Sequence, residues 1–325
     1  MAKEQDTVPS KWDASHIPSL QDKVAVVTGS NIGLGYETAL QLARKGANVI
    51  LACRNETRGS EAAKKIQEEL SDMSDAGKVE FRQLDVSDLS SVKRFAEELH
   101  KSHDRLDILV NNAGVMAVPY AETVDGFESQ MGTNHLGHFA LTAQVFDLLK
   151  QSPAARVVNV SSMGHRSAFR WDEDKIMMDS SNYDAWSAYA NSKLANLLFT
   201  FELKRRLEAN GVDNVKSVVC HPGLTSTNIY SAPTQQHGWF QSMVWRVSSA
   251  MPVSQSVQQG ALPALYAATA PGAKNGEYYG PGGMLGIHGH PDISNPSKKS
   301  QSLSSAAKLW ELSERLTKTQ FPFQK

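Results

Sequence analysis

The chain has 325 residues, 41% of them hydrophobic and 21% charged, with a formal net charge of -1. That composition suits a folded body with one large core, and its charge balance excludes the basic footprint of a nucleic-acid binder. The two cysteines, Cys53 and Cys220, supply neither a zinc spacing nor a disulfide framework, and no run is long and apolar enough to cross a membrane.

Residues 1–22 are polar and read as a tail, with Trp12 and Ile17 available to pin it to the body. They hold no apolar signal core, so a cytoplasmic compartment is the default expectation; peripheral membrane association stays open. From residue 23 the pattern alternates. KVAVVTG (23–29) predicts a strand, residues 34–46 a helix stopped by Gly46, and ANVILAC (47–53) a second strand. A charged amphipathic helix over 56–70, a strand over 79–86 and a helix over 88–102 follow. The series continues with a strand over 106–112, a helix over about 125–150 and a strand over 155–162. An irregular insertion (163–184) precedes a helix over 185–210 and a sixth strand with its turn over 214–223. Residues 224–254 are rich in large apolar side chains and predict a mobile lid, with core or oligomer packing as the other use for them. A helix near 255–270, a strand over 275–280, a Gly/Pro/His-rich loop through Ser300 and a helix over 306–316 end the chain.

Apolar strands alternating with helices predict an α/β doubly wound parallel sheet, a Rossmann-type three-layer sandwich with its crevice at the carboxyl ends of the strands. The expected organisation is a tail (1–22), one dinucleotide-binding and catalytic body (23–290) carrying the lid, and a C-terminal extension (291–325).

The turn after the first strand is glycine-rich: Gly29, Ser30, Asn31, Ile32, Gly33, Leu34 and Gly35. Gly29 permits a tight turn, Gly33 lets backbone approach a pyrophosphate, and Gly35 removes bulk where helix meets strand. The helix start then offers its free N–H groups to phosphate. A carboxylate ending the second strand would grip the ribose 2′-hydroxyl of NAD; this chain has Cys53 and Arg54 there, which suits the 2′-phosphate of NADP(H). Asp85 and Val86 end the third strand, where Asp85 is an acceptor for an adenine amino group. Asn112, Ala113 and Gly114 end the fourth, with room for a ribose. Tyr189 and Lys193 stand four apart on one helical face, a spacing that suits proton transfer and that also occurs by chance.

Taken in order, TGSNIGLG, LDV (84–86), NNAG (111–114), Asn134, Ser161-Ser162, YANSK (189–193) and HPG (221–223) resemble the classical short-chain dehydrogenase/reductase family. ILACRN, the long Ser162–Tyr189 spacing, SKLANLLF and HPGLTST are similar to its retinol-dehydrogenase-like branch. The resemblance implies Tyr189 as general acid/base and Lys193 as the group that lowers its pKa and holds the nicotinamide ribose. It implies Ser162 as the donor to the substrate oxygen, with Ser161 turned away by strand alternation, and Asn134 as the holder of a water-mediated proton relay. Pro222 and Gly223 would form the turn beside the nicotinamide, with Thr225 or Thr227 at its amide. Tyr183 competes with Tyr189 but has Ser187, not lysine, four residues on.

The expected activity is NADP(H)-dependent hydride transfer to or from the carbonyl or alcohol carbon of a small apolar substrate. A carbon–carbon double-bond reductase of the protochlorophyllide-reductase type and a non-catalytic dinucleotide-binding protein are the alternatives. A homodimer or homotetramer follows family habit. No metal site is expected: His288, His290 and Asp292 sit in a Gly/Pro loop without an anchoring cluster.

Overall fold

The computed structural model describes residues 8–225 and 255–323. Eight strands form one sheet in the order β3-β2-β1-β4-β5-β6-β7-β8. They are β1 (Val24–Thr28), β2 (Asn48–Cys53), β3 (Val79–Gln83), β4 (Ile108–Asn111), β5 (Ala155–Val160), β6 (Val215–Cys220), β7 (Tyr278–Pro281) and β8 (Pro291–Ile293). All neighbours pair in parallel except β7 and β8. The chain is therefore a mostly parallel, Rossmann-type α/β sandwich, as the alternating pattern predicts.

Each buried strand feeds two cores. Ala25 and Val27 face one cluster while Val26 faces the other; Val49 and Leu51 oppose Ile50 in the same way. Helices α1 (Gly33–Arg44), α2 (Glu56–Glu69) and α8 (Val257–Thr269) cover the first face. Helices α3 (Leu89–Ser102), α5 (Gly137–Gln144), α6 (Phe146–Gln151) and α7 (Ala185–Ala209) cover the second, and α9 (Leu303–Thr317) packs on α7 from outside. Trp12, Ile17 and Leu20 lie in the first core, and the Trp12 ring meets Tyr266 edge-on at 5.2 Å. The apolar face of α9 is spent on the body: Leu309 and Trp310 are buried, and Arg206 covers the indole at 4.4 Å.

Three elements differ from the sequence pattern. The helix expected over 125–150 is four pieces: α4 (Ser129–Met131), a π-helical turn Gly132–Leu136, then α5 and α6, with Val145 as the break. Strand β8 lies inside the expected loop, held by β7 through Tyr279–Ile293 and Pro281–Pro291 pairing. The insertion contains a short 3₁₀ turn, Met163–Ser167. Most of the expected lid, 226–254, lies outside the described residues.

The sheet order reverses between β1 and β4. Loops leaving the carboxyl ends of these two strands run to opposite faces, which opens the crevice that this topology reserves for a ligand.

Candidate active site

At the end of β1 the chain must turn sharply, and it does so at Gly29 (φ +63°) and Gly33 (φ +61°), both in left-handed conformation. A Cβ at Gly29 would press on Ala113 Cα at 2.9 Å, and one at Gly35 would meet the Asn112 side chain and the Gly29 carbonyl. Ser30 is buried beneath the loop and donates to Val27 O at 2.7 Å. Asn112 Nδ2 donates to Thr28 O at 2.8 Å, tying the end of β4 to that of β1, and Thr28 Oγ1 accepts from Ala113 N.

Helix α1 begins with Ile32 at its N-cap, whose side chain makes no capping bond. The helices α2, α3, α7, α8 and α9 are capped by Asn55, Asp88, Asp184, Ser256 and Ser302. The residues present therefore fit a dinucleotide: two left-handed glycines, a third glycine that excludes a side chain, and a first helical turn left for an anion.

Arg54 leaves β2 with its side chain 76% exposed and its Nε 3.9 Å from Asp85 Oδ2. Asp85 is oriented by Ser87, whose N and Oγ both donate to Oδ1. Val86 is buried, and its carbonyl lies so close to Gly137 that a Cβ there would overlap it.

Asn134, Ser162, Tyr189 and Lys193 converge at the carboxyl ends of β4 and β5. Asn134 sits in the π-helical turn, fully buried. Its Oδ1 accepts from Val115 N at 2.8 Å, and its Nδ2 donates to Val115 O and Ser192 Oγ. A Cβ on Gly114 would stand 2.9 Å from Asn134 Oδ1 and 3.5 Å from Lys193 Nζ, so glycine leaves the passage between them open. Ser161 Oγ is buried and donates into α7, to Lys193 O at 2.7 Å, whereas Ser162 is only partly buried. Ser162 Oγ accepts from Gly164 N at 3.0 Å, which leaves its hydroxyl proton for another acceptor. A Cβ on Gly164 would touch both Tyr189 Cε1 (3.2 Å) and Ser162 Oγ (3.4 Å), so phenol ring and hydroxyl flank that glycine.

Lys193 is 5% exposed, with Nζ 5.8 Å from the centre of the Tyr189 ring and donating to Val160 O at 3.1 Å. Among the described residues no carboxylate pairs with it. Burial lowers its pKa from 10.5 to about 8. Burial also pushes His138 down to about 4, and its neutral ring lies against Thr28 Oγ1 at 2.9 Å. Tyr183 is spoken for: it donates to Val118 O at 2.7 Å and accepts from Gln130.

Pro222, Gly223 (φ +68°) and Thr225 follow β6. Thr225 Oγ1 donates to Pro222 O at 2.9 Å and lies against Gly260 and Leu34, on the glycine-loop side. Thr227 lies outside the described residues. Sequence reasoning passed over Gly164, whose missing side chain leaves room between Ser162 and Tyr189, and Gln255, which bonds Pro222 O and Gly289 N. Only the position of Gly164 in SSMG, two residues after the candidate Ser162, hinted at the first.

A mixed-charge hollow of about 650 Å³ opens elsewhere, between Asp13, Glu37, Lys45, Gln258 and His290, and contains none of these residues. No helix among the described residues is long and apolar enough to cross a membrane.

Comparison with known proteins agrees with this geometry. Residues 23–172 match the family described as short chain dehydrogenase. Retinol dehydrogenase 12 of Mus musculus is 38% identical over 294 residues, 90% of this chain and 85% of the mouse protein. A crystal structure from Mycobacterium paratuberculosis superposes with a TM-score of 0.76 at 42% identity, covering 96% of this chain and all of that one. RhlG of Pseudomonas aeruginosa, solved as an NADP active-site complex, gives 0.60 at 25% identity, covering 80% of this chain and 94% of that one. The chain belongs to the short-chain dehydrogenase/reductase family and is an oxidoreductase of that class. Within the family it falls in the retinol-dehydrogenase-like branch.

Proposed function

We propose that this protein is an NADPH-dependent oxidoreductase that moves a hydride between nicotinamide and the carbonyl or alcohol carbon of an apolar substrate. The observation that carries the reading is Lys193: a buried cation with no carboxylate beside it among the described residues, held by Val160 O beside the Tyr189 ring. A buried charge left unpaired is costly, so its retention at this point needs a functional reason.

The glycine loop and the first turn of α1 hold the pyrophosphate, and Asp85 takes the adenine end. Arg54 favours NADPH, because β2 ends without a carboxylate and the guanidinium, 76% exposed and only loosely paired with Asp85, can reach a 2′-phosphate. The NADP complex of the Pseudomonas relative supports the same choice. The bound nicotinamide supplies the hydride. Ser162 donates its hydroxyl proton to the substrate oxygen as charge develops there, an alignment aided by the bond it accepts from Gly164. Tyr189 passes its phenolic proton to that oxygen. Lys193 keeps positive charge beside the phenol, which favours the phenolate left behind. Asn134 fixes the Val115 backbone at the mouth of the passage to Lys193 and so keeps the return path for protons in place. The likeness to a mouse retinol dehydrogenase supports an apolar alcohol or aldehyde as substrate.

The test is nicotinamide oxidation followed at its absorbance band against aldehydes, ketones and enones, with NADPH and NADH in turn. Tyr189→Phe should lose at least about a hundredfold in kcat while binding NADPH unchanged. A fully active Tyr189→Phe protein would remove the assignment.

A further inference from the structure

Behind Ser162 lies a buried polar side chain that this chemistry does not use. His165 is 1% exposed. Its Nδ1 stands 2.7 Å from the carbonyl oxygen of Ser162, and its Nε2 3.3 Å from the backbone nitrogen of Ser297. These partners fix the tautomer. A carbonyl oxygen only accepts, so Nδ1 carries the proton and donates to Ser162; a backbone N–H only donates, so Nε2 is bare. Burial holds the imidazole pKa below its usual value, which keeps the ring in the neutral form that both bonds require.

The segment that supplies Ser297 grips the same turn twice more. Arg166 Nη2 donates to Asn295 O at 2.7 Å, and Lys299 Nζ donates to Ala168 O at 2.8 Å. Tyr278 lies edge-on to the imidazole at 5.6 Å, and His221, also against Tyr278, contacts Ser294 Oγ at 3.1 Å. Residues 294–299 thus strap the turn that begins at Ser162. Apart from the imidazole, the Ser162 carbonyl receives among the described residues only the 3.1 Å bond from the His165 backbone N–H that closes the 3₁₀ turn.

We propose that His165 is a positioning residue for Ser162, and that the 294–299 strap acts on the catalytic turn through its imidazole. The proposal rests on the functional reading above and deepens it. Ser162 stands between the end of β5 and a short turn, extended at φ -154° and ψ 155°, with no regular element holding it. The imidazole supplies that hold. A hydroxyl displaced by ~1 Å from a reacting oxygen can cost on the order of a hundredfold in rate.

Three variants divide the two bonds. His165→Asn keeps an N–H near the place of Nδ1, His165→Gln keeps a polar group only near Nε2, and His165→Phe keeps ring volume with neither bond. We expect His165→Phe and His165→Gln to lower kcat by about tenfold or more, with the NADPH Kd unchanged by fluorescence titration. His165→Asn should restore most of kcat. Wild-type kcat in His165→Phe, or equal kcat in the Asn and Gln variants, overturns the proposal. If His165→Phe does not fold, the Asn–Gln comparison alone decides. Tyr189→Phe in the same assay separates the two levels: an active Tyr189→Phe protein sinks the reading of the site. An inactive one beside a wild-type-like His165→Phe sinks only the role of His165.

Discussion

Replacing Lys193 by methionine should abolish turnover and make the folded protein more stable. The ammonium is buried and its pKa falls from 10.5 to about 8. That difference corresponds to about 3 kcal/mol by which folding disfavours the charged form. Methionine is close in shape, and Val160 O keeps a donor in Asn196 Nδ2 at 3.1 Å, so the substitution leaves that carbonyl satisfied. The sign follows from linkage. Below pH 8 the lysine is charged in folded and unfolded chains alike, and the folded chain carries the full penalty. Between pH 8 and 10.5 the unfolded chain binds more protons, so wild-type stability rises with pH. The advantage of Lys193→Met should be about 3 kcal/mol at pH 7 and should fall by about half or more by pH 9.5. For a chain of this length that is a Tm gain of about 4 °C near neutrality. Thermal and urea unfolding of both proteins without cofactor, from pH 7 to 9.5, measures it. A variant no more stable than wild type at pH 7, or a gain independent of pH, would refute the argument that Lys193 is a charge held at a cost.

Two further outcomes are expected. Arg54→Glu should weaken NADPH binding by about tenfold or more, since a charge-assisted contact to phosphate is worth roughly 1.5–3 kcal/mol, and should improve the use of NADH. Fluorescence titration with both cofactors checks this, and unchanged NADPH affinity would take Arg54 out of the site. Gly137→Ala puts a methyl group into the Val86 carbonyl, so the backbone between β3 and α3 must shift. It should destabilise the fold by about 1–3 kcal/mol or more, read as a lowered urea midpoint; an unchanged midpoint would mean that the junction yields.

The parts of the fold legible in the sequence are those where one physical requirement repeats along the chain. Strands buried on both faces must be apolar throughout, so KVAVVTG, ANVILAC and ARVVNVSS identify β1, β2 and β5 to within two residues. The end of a strand is less legible, because the residues after Gln83 in β3 leave the ladder without changing character. Strand β8 was missed for a different reason. Three residues, Pro291–Ile293, with two of them exposed, carry no alternation that a pattern could detect, and only β7 makes them a strand. The π-helical turn at Gly132–Leu136 is invisible to a 3.6-residue period, since one widened turn shifts the phase and leaves the composition alone.

The site divides along the same line. Strand alternation predicts that Ser161 and Ser162 point apart; both follow the end of β5, and there Ser161 donates to Lys193 O while Ser162 flanks Gly164 with Tyr189. Helical spacing pairs Tyr189 with Lys193 for an equally local reason. What no local rule carries is how these groups are held. Lys193 depends on a carbonyl 33 positions away in β5, Asn134 on the backbone of Val115, and the Ser162 turn on residues 294–299. Sequence motifs name the groups that meet a substrate because those are short and near a strand end. The restraints on them come from wherever the sheet brings a free N–H or C=O, and at His165 that partner comes from a segment 132 residues further along the chain. A homologue that keeps every motif residue but loses the 294–299 strap should therefore bind the dinucleotide and turn over slowly, because the proposed phosphate site lies at β1 and β2, while the strap grips the turn after β5 and His221 at the end of β6.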